Sequence, residues 1–556
     1  MKRVLNSVAA IWCWLGAASF AAAQTAPAYP SDLLALLPDD FAVCIVMHDL
    51  RGHSARWEKS DWLKAFRQSS VGKSIFGSPE MEQFTRWQAD MKKHLDLDWP
   101  TLRDEILGDT FVMAYTPGPK DRPGDEHGLF LLQVRKPERL AKFIDKFNDV
   151  QTRSGELKSL TKMTWKNTTY FRRDQEKKTQ FYVVKDSLVA ITTKEDVIKN
   201  LIQGLPDRSA DNLWAKRFQR AGAESAFLTM CVNPRILAPE VVRVGKKGDA
   251  LPGYWRALDA IFVTLSIRQN ADLRITIQAD AARLPVWARP AFTDTLPMSD
   301  LWQRFPEKGL LTIAGKTDFA GTAEALKMLM PEKDRTKLAK DWASIGAVLD
   351  LDLLKDILPN VGPDWGLCIL PARNAQQLPE AILAIAVKPG NKEKPIDQTL
   401  IKGIDFFAKF AVLQNPNDLR LQTVKQGKIE VRYLASTKLF PPGFQPACAL
   451  KDGFLLVATS PAAIADFGSP RLKVVDAKEA LLLRLSAPEL GKLLNQRRDH
   501  ILATLTTQQQ MPAQQAKKNL DNVISLLGSF DRLTLSHQGG AGQASWIIRL
   551  TPAPGQ

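Results

Sequence analysis

Short apolar runs separated by turn residues dominate this chain, and one arrangement of them occurs twice. Phe181 to Val184 leads into Lys185-Asp186-Ser187, and Leu188 to Thr193 follows. The same order returns 266 residues later, with Ala447 to Leu450, Lys451-Asp452-Gly453, and then Phe454 to Thr459. Asp-Gly between apolar runs predicts a two-residue hairpin turn, because glycine reaches positive φ without a Cβ clash. Asp186-Ser187 is a poorer version of that turn. A helix start is predicted after each hairpin, by different chemistry. Thr192 with Glu195 has capping-box spacing, and Ser460-Pro461 sets a cap residue before a proline at the first helical position.

The pattern repeats elsewhere at a similar spacing. Phe41 to His48 and Leu310 to Ala314 read as first strands, each preceded by a proline-containing lead. Phe111 to Tyr115 and Trp365 to Leu370 follow, then Leu129 to Val134 and Ala381 to Val387. Met81, Phe84, Trp87, Met91 and Leu95 fall three or four apart, as do Leu140, Phe143, Ile144 and Phe147, so each set predicts one apolar helix face. Each half closes on a hairpin, 261–267 with 273–279 and 532–536 with 545–550. The predicted fold is α+β: two similar halves, each a largely antiparallel sheet with helices packed on one face.

A single hydrophobic core rarely grows beyond roughly 250–300 residues, and the chain has 556. The predicted division is a first repeat domain over 24–280, a linker over 281–300 carrying Pro285, Pro290 and Pro297, and a second repeat domain over 301–556. Residues 1–23 have the order of a signal peptide: Lys2-Arg3, an apolar stretch through Trp12, Trp14 and Leu15, and Ala21-Ala22-Ala23 before Gln24. The expectation is export to the periplasm or cell envelope with the mature chain starting near Gln24; retention as an uncleaved anchor is the alternative. No later segment has transmembrane character. Cys44, Cys231, Cys368 and Cys448 lie inside apolar runs without metal-ligand spacing, as buried thiols do, and an oxidising compartment leaves one or two disulfides open.

The net charge of +15 favours anionic partners. Lys and Arg are dispersed, and no nucleic-acid motif is present. Ser69 to Ser74 ends like a phosphate-binding loop, but Arg67 stands where its first glycine is needed. His48-Asp49-Leu50-Arg51-Gly52-His53 is the densest polar cluster; two His and an Asp could hold a metal, yet no further ligand is placed, and solvation of a strand end is the simpler reading. Asp186 and Asp452 read as turn residues rather than paired carboxylates. No nucleophile elbow, zinc helix, Cys-x-x-Cys or dinucleotide fingerprint occurs. No catalytic, cofactor-binding or metal residue is assigned.

The leader, Leu37-Pro38-Asp39-Asp40 before the first strand, and the Lys-Asp-(Ser/Gly) hairpins at 185–193 and 451–460 resemble the large exported proteins of planctomycete bacteria known as domains of unknown function. The resemblance implies an exported, duplicated α+β protein and transfers no functional residue. The expectation is therefore a non-catalytic binding or scaffold protein of the periplasm or envelope, partnered by an anionic envelope polymer or another envelope protein. The alternatives are a hydrolase with its site in the cleft between the halves, and a carrier of an apolar ligand.

Overall fold

The computed structural model describes residues 31–553 apart from 60, 69, 108, 120, 177, 206–212, 245–253, 331, 350–355, 375, 389–395 and 469–477. The leader and Ser60, expected to cap the helix after it, lie outside the described residues. The chain divides into two compact units, the first closing at Asp280 and the second running Ala281–Ala553.

In the first unit the strands are β1 (Val43–His48), β2 (Thr110–Thr116), β3 (His127–Gln133), β4 (Leu157–Trp165), β5 (Thr168–Gln175), β6 (Thr179–Lys185), β7 (Leu188–Thr192), β8 (Leu228–Val232), β9 (Leu258–Ile267) and β10 (Ala271–Ala279). They pair antiparallel in the order β10-β9-β8-β1-β2-β3-β7-β6-β5-β4. In the second unit they are β11 (Leu311–Lys316), β12 (Val361–Leu370), β13 (Glu380–Val387), β14 (Arg420–Gln426), β15 (Ile429–Ala435), β16 (Ala447–Lys451), β17 (Phe454–Ala458), β18 (Ala480–Ser486), β19 (Phe530–Gly540) and β20 (Gln543–Pro552). These also pair antiparallel, in the order β20-β19-β18-β11-β12-β13-β17-β16-β15-β14. Ten added to each label of the first order yields the second.

The α+β class holds, with one change: helices cover both faces of the first sheet rather than one. Five helices matter below: α1 (Leu50–Lys59), α2 (Pro79–Leu95), α3 (Pro137–Arg153), α4 (Glu195–Gly204) and α5 (Ile396–Gln414). Side chains alternate across a strand, so Leu131, Val183 and Ala190 enter one core with Ile198, Leu201 and Ile202 of α4. Their neighbours Leu132, Val184 and Val189 enter another, with Met91 of α2 and Leu140 of α3. Runs that are apolar at consecutive positions, such as Leu188 to Ile191, reflect this double burial. In the second unit Leu456 and Ala458 pack with Ile464 and Phe467, while Leu455 packs with Ile396, Leu400 and Ile404 of α5.

Both Lys-Asp turns connect two-residue hairpins, with Lys185 opposite Leu188 and Lys451 opposite Phe454. Asp186 and Asp452 take φ of 53° and 54°, and Gly453 takes 81°. The caps differ from expectation in one copy. Ser460 Oγ accepts from the Ala463 amide at 3.0 Å, ahead of the helix Pro461–Asp466, as its sequence predicts. Thr192 and Glu195 do not form a capping box. Thr192 belongs to β7, and the Glu195 carboxylate instead accepts from the Tyr170 hydroxyl at 2.6 Å and pairs with Lys199 at 2.8 Å.

The proline-punctuated stretch at 281–300, read from sequence as a linker, belongs to the second unit. It contains a short helix (Arg289–Thr293), and Phe292 within it is buried. His537 lies fully buried in β19. Its Nδ1 accepts from the Leu296 amide at 3.2 Å, which leaves Nε2–H to donate to the Ala291 carbonyl at 3.1 Å.

Replacing a serine cap by alanine costs about 0.5–2 kcal/mol. Ser460→Ala should therefore destabilise the second unit by about that amount, read as a lower urea midpoint at unchanged slope, while Thr192→Ala, which removes no helix cap, should leave the start of α4 unchanged by hydrogen exchange.

Candidate functional site

The polar cluster at the end of β1 is a buried helix start, not a solvated strand end. His48, Asp49 and His53 are 6%, 3% and 8% exposed. Asp49, at φ 48°, accepts from the Gly52 amide at 3.0 Å and from Arg56 at 3.2 Å, so it caps α1. A Cβ at 52 would stand 2.2 Å from the Asp49 carboxylate, so a larger residue there would push the capping side chain aside. Asp318 and Gly321 repeat the arrangement at the corresponding place in the second unit, where a Cβ on Gly321 would stand 2.4 Å from the Asp318 carboxylate. His48 Nδ1 meets Thr110 Oγ1 at 3.1 Å, and Arg51 reaches Asp109 at 3.3 Å. Among the described residues no group of three or more His, Cys, Asp or Glu is placed to hold a metal ion. The local chemistry is that of structure.

Beneath the same helix, Glu58 and Arg103 form a buried pair at 3.6 Å, and Arg103 binds Asp104 through two nitrogens at 2.6 and 2.7 Å. Burial pushes the Glu58 carboxyl up, with the Arg103 charge opposing. Gly72, Lys73 and Ser74 fall inside a helix (Ser70–Phe76), where the backbone amides serve the helix rather than a phosphate. His94 and His500 are exposed, and His127 Nδ1 meets the Asp125 carbonyl at 3.0 Å.

All four cysteines of the described residues are buried free thiols. Cys44 and Cys231 stand directly opposite across β1 and β8. The bonds Asn233 N–H to Ala42 O (2.9 Å) and His48 N–H to Phe227 O (3.1 Å) lie in phase with this pair, which makes it a hydrogen-bonded one. Such pairs keep Cα atoms about 5.5 Å apart and their Cβ atoms wider than the alternate pairs, which disfavours a disulfide. Burial raises both thiols far above their ordinary range, and pushes those of Cys368 and Cys448 up to about 11.

The open chemistry lies instead in the second unit, under α5. A groove of about 330 Å³ runs between this helix and the strands β14 to β17, lined by Ile404, Phe407, Leu421, Cys448 and Val457. Its polar lining is Asp405, Tyr433 and Arg432, the last held by Asp405 at 2.6 Å and Glu430 at 3.0 Å. The first unit shows why there is space. There Phe171 of β5 stands opposite Tyr182 of β6, their rings stacked at 4.9 Å. The pair at the same place in the second order is Arg432 opposite Cys448. Where the first unit has two aromatic rings, the second has a thiol and a guanidinium drawn aside to two carboxylates.

The helices over these positions differ in the same sense. α3 turns Glu138, Arg139, Lys142, Asp145, Lys146 and Asp149 to solvent. α5 exposes Phe406 (48%), Phe407 (49%), Phe410 (51%) and Leu413 (76%). None of these residues was singled out in the sequence, although Phe406, Phe410 and Leu413 add a second apolar stripe to the inner one of Ile396, Leu400 and Ile404, and an apolar helix face is one that packs against something. In comparisons with known proteins, no family model matches the chain, and no curated protein matches it either.

The polar cluster leads to a pH test. Burial, and next the Arg56 charge, lower His53 from 6.5 to about 4; Asp49 opposes, and His48 and Arg268 add to the lowering. The unfolded chain protonates this residue first, so stability should be intact above about pH 6.5 and fall as pH drops toward 4. The loss is about 3 kcal/mol. His53→Phe, packed against Phe227, should flatten that part of the profile in urea titrations run from pH 7 to pH 4.

Proposed function

We propose that this chain is an exported, non-catalytic binding or scaffold protein of the periplasm or cell envelope, and that the groove under α5 receives an apolar part of its ligand. The groove itself carries the reading. It is open, lined almost wholly by carbon, and of a size that small-ligand sites have, roughly 300–1,000 Å³. Of the polar residues that could suggest catalysis, Asp49 caps α1, Glu58 and Arg103 form a buried ion pair, His48 meets the Thr110 hydroxyl, and His53 packs buried against the Phe227 ring. The order of residues 1–23 supports export.

A shared ancestor for the two units belongs to the same proposal. It is supported by the common strand order, by the paired turns at Asp186 and Asp452, and by the Asp-x-x-Gly helix starts at Asp49 and Asp318. On this reading one copy kept its aromatic filling and the other lost it, which is how a packed position becomes a binding position.

Filling the groove tests the reading. Cys448→Phe places a ring where the first unit has Tyr182. The variant should lose roughly tenfold or more of the wild-type affinity for an apolar fluorophore such as 1-anilinonaphthalene-8-sulfonate, the scale of one well-buried apolar group. Its melting temperature should not fall. Equal dye binding by the two proteins would remove the groove from consideration.

A further inference from the structure

We infer that the solvent face of α5 docks on an anionic lipid bilayer, a role separate from whatever occupies the groove on the other side of the helix. Phe406, Phe410 and Leu413 recur at i, i+4 and i+7, so they form one stripe along the axis. Their side chains are 48%, 51% and 76% exposed. The inner stripe of the same helix, Ile396, Leu400 and Ile404, is already used against the sheet. Lys402 and Lys409, also exposed, are seven residues apart and lie along the edge of the outer stripe.

This is the pattern of an interfacial helix: bulky apolar side chains entering the acyl boundary, with lysines beside them whose stems can stretch back to phosphate. The net charge of +15 supplies the complementary long-range attraction to an anionic surface. No described helix is long and apolar enough to cross a membrane, so the contact is a surface one.

Area decides against a second copy of the chain. A phenylalanine contributes roughly 150–250 Å² when fully covered, so two half-exposed rings and one leucine leave a patch on the order of 300 Å². A stable protein interface takes about 800 Å² from each side. Bilayer docking has no such threshold, because each inserted side chain adds its own transfer free energy.

Co-sedimentation of the full chain with vesicles decides the matter, using phosphatidylcholine alone and phosphatidylcholine containing about a third phosphatidylglycerol as the anionic lipid. The wild type should partition onto the anionic vesicles and release as salt rises. The double variant Phe406→Ser, Phe410→Ser should lower the partition coefficient by roughly tenfold or more. Lys402→Glu, Lys409→Glu should do so only on anionic vesicles. Both pairs are exposed, and unchanged urea midpoints establish that the variants fold. Wild type and variants carry the same N-terminal stretch, so any binding through that stretch cancels. Equal partitioning of the wild type and the phenylalanine variant overturns the inference. So does a wild-type dimer in sedimentation velocity that the phenylalanine variant abolishes, which would assign the stripe to a second copy. Cys448→Phe should leave vesicle binding unchanged, which keeps this test independent of the groove.

Discussion

Antiparallel register is the constraint on which the other features depend. Each ladder places successive residues on opposite faces, and both faces are buried over the middle of the first sheet. Val183 and Val184 therefore enter different cores, one closed by α4 and the other by α2 and α3. A slip of one residue between β6 and β7 would exchange the two sets and bring Lys185 and Asp186 into the strand. The two-residue turns prevent it. Asp186 and Asp452, held at positive φ, allow only one pairing of the strands they join.

Within that frame, polarity is free to differ. Cys44 at the centre of the first sheet lies between Ala114 and Cys231, an apolar set. The same three places in the second sheet hold Thr312 between Cys368 and Arg484. Thr312 meets the Cys368 sulfur at 3.6 Å, and Arg484 bonds the Glu307 carbonyl while burial lowers its affinity for a proton. The backbone hydrogen bonds are indifferent to the exchange, because side chains do not enter the ladder. The groove is a larger example of the same tolerance. A cross-strand pair without aromatic rings leaves the strands paired and a space beside them.

The hairpins, their partners and the amphipathic helices over Met81 to Leu95 and Leu140 to Phe147 were legible because each rests on local chemistry: glycine or aspartate at a turn, and apolar residues at a period of two or of three to four. Burial of the histidine cluster was not legible. His48 to His53 is polar as a string, and only the pairing of β1 with β2 and β8 puts it under cover. The linker assignment failed for a related reason. Prolines at 285, 290 and 297 punctuate the chain, but whether the segment between them packs depends on His537, some 240 residues away, offering both ring nitrogens to it.

The groove and the exposed stripe of α5 mark the boundary most clearly. Sequence alone determined the elements, their two-residue turns and the repeated order of apolar runs, since those follow from neighbours along the chain. Which apolar residues found partners was decided only in three dimensions. Ile404 and Phe407 are equally hydrophobic and one helical turn apart, yet one meets Leu455 and its neighbours while the other is half open to solvent. Burial is a property of what the rest of the fold brings alongside, and no residue carries that information by itself.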